Sequence, residues 1–127
     1  MTERHELCIL VLEDSPLDAF LLREGLSRLP ARPSLLQAER LEEALGLLRE
    51  NSPDVVLTDL NLPDSFGLDT LRAVVQAAGE VPVVVLLGDN VPEVREQLAR
   101  EGASGCIAKN ELNSGVLTEV IEQVLHL

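Results

Sequence analysis

Three carboxylates stand where apolar runs of this 127-residue chain end, and they are its best candidates for chemistry. Val55-Val56-Leu57-Thr58 runs into Asp59, with Pro63 and Gly67 close behind. A second apolar run, Cys8-Ile9-Leu10-Val11-Leu12, ends in Glu13-Asp14. In open parallel sheets, ligands bind at the carboxyl ends of the strands. Two strands that deliver Glu13, Asp14 and Asp59 to one edge would build an all-oxygen site for a hard divalent cation.

Positioning these acids requires a parallel sheet, and the hydropathy pattern supplies one. Strands are expected at 7–12, 34–38, 54–58, 82–87 and 105–108. The runs Val55-Val56-Leu57 and Val83-Val84-Val85-Leu86-Leu87 are continuously apolar, as strands covered on both faces should be. Helices are expected between them. Ser15-Pro16 reads as an N-cap and first-turn pair opening a helix over 16–28, with Pro30 just beyond it. Leu41, Ala44, Leu45 and Leu48 give an apolar face to a helix over 41–50, and Leu68, Leu71, Val74 and Val75 to one over 67–78, stopped by Gly79. Val94, Leu98 and Ala99 mark 92–101, closed by Gly102. Val116, Val120, Ile121, Val124 and Leu125 mark the last helix. Alternating strands and helices with right-handed crossovers predict an α/β fold: a doubly wound (βα)5 three-layer sandwich, flavodoxin-like, with strand order 2-1-3-4-5. That order sets the first and third strands side by side and gathers Glu13, Asp14 and Asp59 at one crevice. No linker or low-complexity tract interrupts the pattern, so residues 1–127 read as one domain.

Composition narrows the function. The formal charge is −12, from 22 acidic and 10 basic residues. Nucleic-acid binding needs clustered Lys and Arg against phosphates, and anionic membrane surfaces need the same. Neither partner is expected. No apolar run reaches the ~20 residues of a membrane span and no signal-peptide pattern precedes the first strand, so cytoplasmic residence is expected. Cys8 and Cys106 lie inside apolar runs and read as small core hydrophobes. His5 and His126 stand near the two ends without partners. Phe20 and Phe66 are the only aromatics, which leaves no stacking platform for bases.

With these elements in place, the sequence resembles the receiver domain of two-component response regulators over essentially its whole length. The motifs are the acidic pair Glu13-Asp14, Asp59, the following Pro63 and Gly67, and Lys109 after the fifth strand. Each is weak alone; together, in order and at these strand ends, they are specific. The resemblance implies that Asp59 accepts a phosphoryl group from a histidine kinase, a phosphotransfer domain or a small donor such as acetyl phosphate. It implies Mg²⁺ held by Asp14, Asp59, Glu13 and the backbone carbonyl of Asn61, with Lys109 contacting first the Asp59 carboxylate and then the phosphoryl oxygens. Asn61 and Asp89 match the positions that tune the lifetime of the acyl phosphate. An output domain in a larger chain, and a homodimer through the fourth helix and fifth strand, are further partners that it implies. As an enzyme, such a chain would catalyse at most its own phosphorylation and dephosphorylation.

Three positions depart from the family. The switch hydroxyl at the end of the fourth strand falls on Leu87, which has no donor to offer a phosphoryl group. The switch aromatic of the fifth strand falls on Cys106. A third departure is Asn110 in place of a proline after the lysine, so no cis peptide is expected there. Leu87 and Cys106 favour a second reading, a phosphorylation-independent docking module on the same fold. A haloacid-dehalogenase-like phosphatase would want an acid where Asn61 stands. A flavin or nucleotide site would want a phosphate-cradling loop in place of Glu13-Asp14-Ser15-Pro16. Taken alone, Asp14 could be a helix-capping acid, Asp59 a turn residue and Lys109 a solvated lysine; their company supports the functional reading.

Overall fold

A computed structural model describes residues 7–30, 32–88, 92–112 and 114–126. In chain order the elements are β1 (Cys8–Leu12), α1 (Pro16–Leu26), β2 (Ser34–Ala38), α2 (Leu41–Glu50) and β3 (Val55–Asp59). A short antiparallel hairpin follows, β4 (Asn61–Leu62) and β5 (Ser65–Phe66), then α3 (Leu68–Ala78) and β6 (Val83–Leu87). The chain continues through α4 (Pro92–Arg100), β7 (Gly105–Ala108), a 3-10 turn (Lys109–Glu111) and α5 (Val116–Leu125). The five long strands make one parallel sheet ordered β2-β1-β3-β6-β7. With the hairpin set aside, this is the expected 2-1-3-4-5 order and the flavodoxin-like sandwich. Among the described residues, no helix is long and apolar enough to cross a membrane.

Side chains alternate across the sheet into two cores, as the period of a strand dictates. Ile9, Val11, Leu57 and Leu86 pack with Leu22 and Leu26 of α1 and Leu117 and Ile121 of α5. Leu10, Leu12, Val56, Val85 and Leu87 pack on the opposite face with Ala44, Leu71, Val74 and Leu98. The two cysteines are less interior than expected. Both are only half-buried and free: Cys8 is the first residue of β1, and Cys106 lies on the edge strand β7.

Helix boundaries follow local chemistry. Ser15 caps α1, its Oγ accepting from the Asp18 amide at 3.4 Å, and Pro16 occupies the first turn as expected. The helix ends at Leu26 rather than residue 28, because the Arg28 and Leu29 amides bond carbonyls only three residues back. Gly25 lets α1 approach the segment after β7. A Cβ there would lie 2.5 Å from the Leu112 carbonyl oxygen and 2.6 Å from a Leu117 methyl. At the start of α3, Gly67 adopts φ 64°, a conformation that costs other residues, while its N–H donates to Leu60 O at 2.9 Å.

The β4–β5 hairpin carries a contact that the sequence pattern does not signal. No side chain of α2's own N-cap residue, Arg40, caps that helix. Asp64 does so from the hairpin turn, with Oδ1 accepting from Leu41 N at 2.8 Å and Oδ2 from Glu42 N at 3.1 Å. These two amides hold the Asp64 carboxyl below its ordinary value of 3.8. A depressed carboxylate contributes stability above the unfolded-state pKa and loses it as pH falls through the folded one. Asp64→Asn is therefore expected to lower the urea midpoint at pH 7, with the two proteins converging as pH drops below about 4. Parallel curves through that range would show that the cap does not depend on charge.

Candidate functional site

The register of the sheet delivers the acids to one edge. Leu12 pairs with Thr58 across β1 and β3, so the next residues, Glu13 and Asp59, leave the sheet side by side. One oxygen each of Glu13, Asp14 and Asp59 lies within 4.8 Å of the others. Glu13 is buried, Asp59 is 8 % exposed and Asp14 is open to solvent.

Lys109 comes from two strands away. Leu87 pairs with Ala108, and Lys109 follows as the first residue of the 3-10 turn. Its aliphatic stem passes the end of β6, and its ammonium reaches Asp59 Oδ2 at 2.7 Å. Two further carboxylates share that ammonium, Glu13 Oε1 at 3.0 Å and Asp18 Oδ2 at 3.0 Å. Burial alone would pull the Lys109 pKa down; contacts with Asp59, Asp18 and Glu13 outweigh it and hold the pKa above its usual value.

Asp59 is fixed from both sides. While Oδ2 faces the ammonium, Oδ1 accepts from Leu60 N at 2.6 Å and Asn61 N at 3.1 Å. The loop is anchored in turn by Thr70, whose hydroxyl donates to Leu60 O at 2.8 Å. Glu13 is held less completely. Its Oε2 accepts from Ser15 N at 3.1 Å, but Oε1 meets the ammonium as an ion pair without hydrogen-bond alignment. Burial pushes the Glu13 carboxyl up, Asp59 adds to the rise, and Ser15 N and Lys109 offset part of it. A buried carboxylate oxygen short of donors, beside two other acids, fits a cation that prefers oxygen.

Four residues singled out from sequence, Glu13, Asp14, Asp59 and Lys109, thus converge. Asn61 adjoins them through its backbone, its side chain exposed. Leu87 is 7 % exposed and part of the α2–α3–α4 core. Cys106 lies on β7, half-buried, with its thiol pKa raised by burial. The Lys109–Asn110 peptide is not cis, as expected without proline. Asp89 and His5 lie outside the described residues, and His126 is the exposed C-cap of α5. Phe66 is 76 % exposed on the hairpin. The sequence reading missed Asp18. Its signal was present, an acid in the first turn of the helix that starts at the site, but first-turn acids are common wherever a helix begins.

A profile of the response regulator receiver domain matches residues 9–122. The chain belongs to the response regulator receiver domain family. This receiver is 28 % identical over 124 residues, 94 % of its length, to the transcriptional regulatory protein DegU of Brevibacillus brevis, and spans 50 % of that protein. It is 27 % identical over its full length to the sensor histidine kinase RcsC of Escherichia coli, of which it spans 13 %. Among solved structures, a LuxR-family two-component response regulator from Aurantimonas sp. superposes with a TM-score of 0.82 at 26 % identity, covering 96 % of this receiver and 86 % of that chain. The receiver thus spans at most half the length of these two curated relatives, and kinases and transcriptional regulators both carry such a domain.

Proposed function

We propose that this receiver accepts a phosphoryl group on Asp59 from a histidine kinase, a phosphotransfer domain or a small donor such as acetyl phosphate. The observation that carries the reading is the Lys109 ammonium 2.7 Å from a nearly buried Asp59, beside two further acids at the end of adjacent strands. One Asp59 carboxylate oxygen attacks phosphorus. The phosphorus bond to the donor's imidazole nitrogen, or to acetate, breaks with its electron pair on the leaving group, and Asp59 becomes an acyl phosphate. Lys109 turns its N–H groups to the phosphoryl oxygens, while the Leu60 and Asn61 amides hold the carboxylate in place. Glu13, Asp14, Asp59 and the Asn61 carbonyl would hold Mg²⁺, which when bound neutralises charge on the acids and the transferring group.

The domain, 1–127, would act in the cytoplasm and relay its state to an output region or a second copy. A phosphorylation-independent docking module, the reading that Leu87 and Cys106 invite, leaves unexplained why Lys109 and the acid cluster keep this arrangement. Intact mass after incubation with acetyl phosphate and Mg²⁺ is the test. One added phosphoryl group is expected, lost with Asp59→Asn and with a chelator. An unchanged mass with acetyl phosphate and with a phosphorylated histidine donor would move the function to docking.

A further inference from the structure

The Lys109 ammonium donates hydrogen bonds to Asp59 and Asp18 and pairs with Glu13 by charge, so three carboxylates surround it. Two of them, Glu13 and Asp59, belong to the acid cluster. The third, Asp18, stands apart on α1, its side chain 21 % exposed, with its Oδ2 3.0 Å from Nζ. Ser15 Oγ caps the Asp18 amide and Pro16 stiffens the turn before it, so the carboxylate is presented from a fixed helix end. Glu13 and Asp59 are the groups a cation would draw away from the ammonium; Asp18 lies outside that cluster.

We infer that Asp18 is a positioning residue that retains the Lys109 ammonium and competes with the phosphoryl group for it, restraining phosphorylation of Asp59. The inference rests on the receiver reading. An incoming phosphoryl group brings several acceptor oxygens, yet one Lys109 donor remains held by a carboxylate on a rigid element. That carboxylate also adds negative charge close to the path of an anionic donor. Removing its charge frees the donor and eases the approach together.

The test measures acetyl phosphate loading by intact mass for wild type, Asp18→Asn, Asp18→Glu, Lys109→Met and the Asp18→Asn/Lys109→Met pair, with urea midpoints for each. Asp18→Asn is expected to load about three- to tenfold faster than wild type, part of one charge-assisted hydrogen bond expressed as rate. Asp18→Glu, which keeps the charge, returns the rate toward wild type. In the Lys109→Met background the Asp18 change loses the part of its effect that acts through the ammonium, leaving only the smaller gain from the removed charge. Wild-type loading with an unchanged or slower Asp18→Asn overturns this inference alone. The same acceleration with and without Lys109 overturns the positioning role. A wild type that takes no phosphoryl group from any donor overturns the receiver reading along with it.

Discussion

Lys109→Met is expected to lower stability by about 2 kcal/mol in Mg²⁺-free buffer and to slow phosphoryl acceptance about 100-fold. The stability estimate starts from the ~3–5 kcal/mol lost when one partner of a buried ion pair is removed, and is reduced because the lysine side chain is 22 % exposed. Met keeps the stem that crosses β6 but leaves Glu13, Asp18 and Asp59 facing one another without a cation. The kinetic estimate follows from removing one donor aimed at developing charge, which typically costs ~10²–10³ in rate. Mg²⁺ should raise the melting temperature of Lys109→Met more than that of wild type, because the cation meets acids that no ammonium has already neutralised. Lys109→Arg should restore stability further than rate, since a planar guanidinium keeps the charge but not the direction of the ammonium. Thermal melts with and without Mg²⁺, set beside loading rates, check both halves. An unchanged melting temperature in the methionine variant would mean that desolvating the ammonium cancels its pairing.

The legibility of this molecule in its sequence followed a physical divide. Elements buried on both faces, such as Val83–Leu87, were legible because hydropathy alone specifies them, and the crossover rules then brought Glu13 beside Asp59 without any contact being read directly. Lys109 was found only through the family resemblance. A lone lysine after an apolar run has no local signature, and its reach across β6 is a property of the folded sheet. Asp18 and Asp64 escaped the reading for a shared reason. Each acts on an element distant in sequence, Asp18 on the segment after β7 and Asp64 on the first turn of α2. Local pattern carries no record of such partners. Apolar neighbours alone predict interior cysteines, and their half-buried positions show that an apolar run does not fix depth.

Leu87→Thr is expected to cost stability, by about 2 kcal/mol, and to enlarge the structural response to phosphorylation. The cost arises because Leu87 is 7 % exposed and shares a core with Leu98 of α4 and Val83 and Val85 of β6, where a shorter, polar side chain loses apolar contact and must find a partner for its hydroxyl. The gain arises from position. Leu86 pairs with Asp59, so residue 87 is the first step beyond the acceptor on the adjoining strand, and its own pair, Ala108, precedes Lys109. A phosphoryl group on Asp59 would offer a hydroxyl there an acceptor, which favours the phosphorylated state. In wild type the leucine has no such state-dependent partner, so packing around α4 gives no reason to change. The far end of this route is also altered. Cys106 contributes a thiol beside a cleft of about 510 Å³ lined by Arg95, Gly105, Val120 and Val124, and Arg95 Nη1 ties α4 to the Cys106 carbonyl at 3.3 Å. The small Cys106 side chain reaches little of that cleft, so a change at the end of β6 moves little at the α4–α5 face. Leu87→Thr/Cys106→Tyr should therefore respond more strongly than Leu87→Thr alone. Backbone amide shifts across α4, β7 and α5, recorded with and without acetyl phosphate and Mg²⁺, measure the response. Equal shifts in wild type and in both variants would show that Leu87 is not what limits the relay.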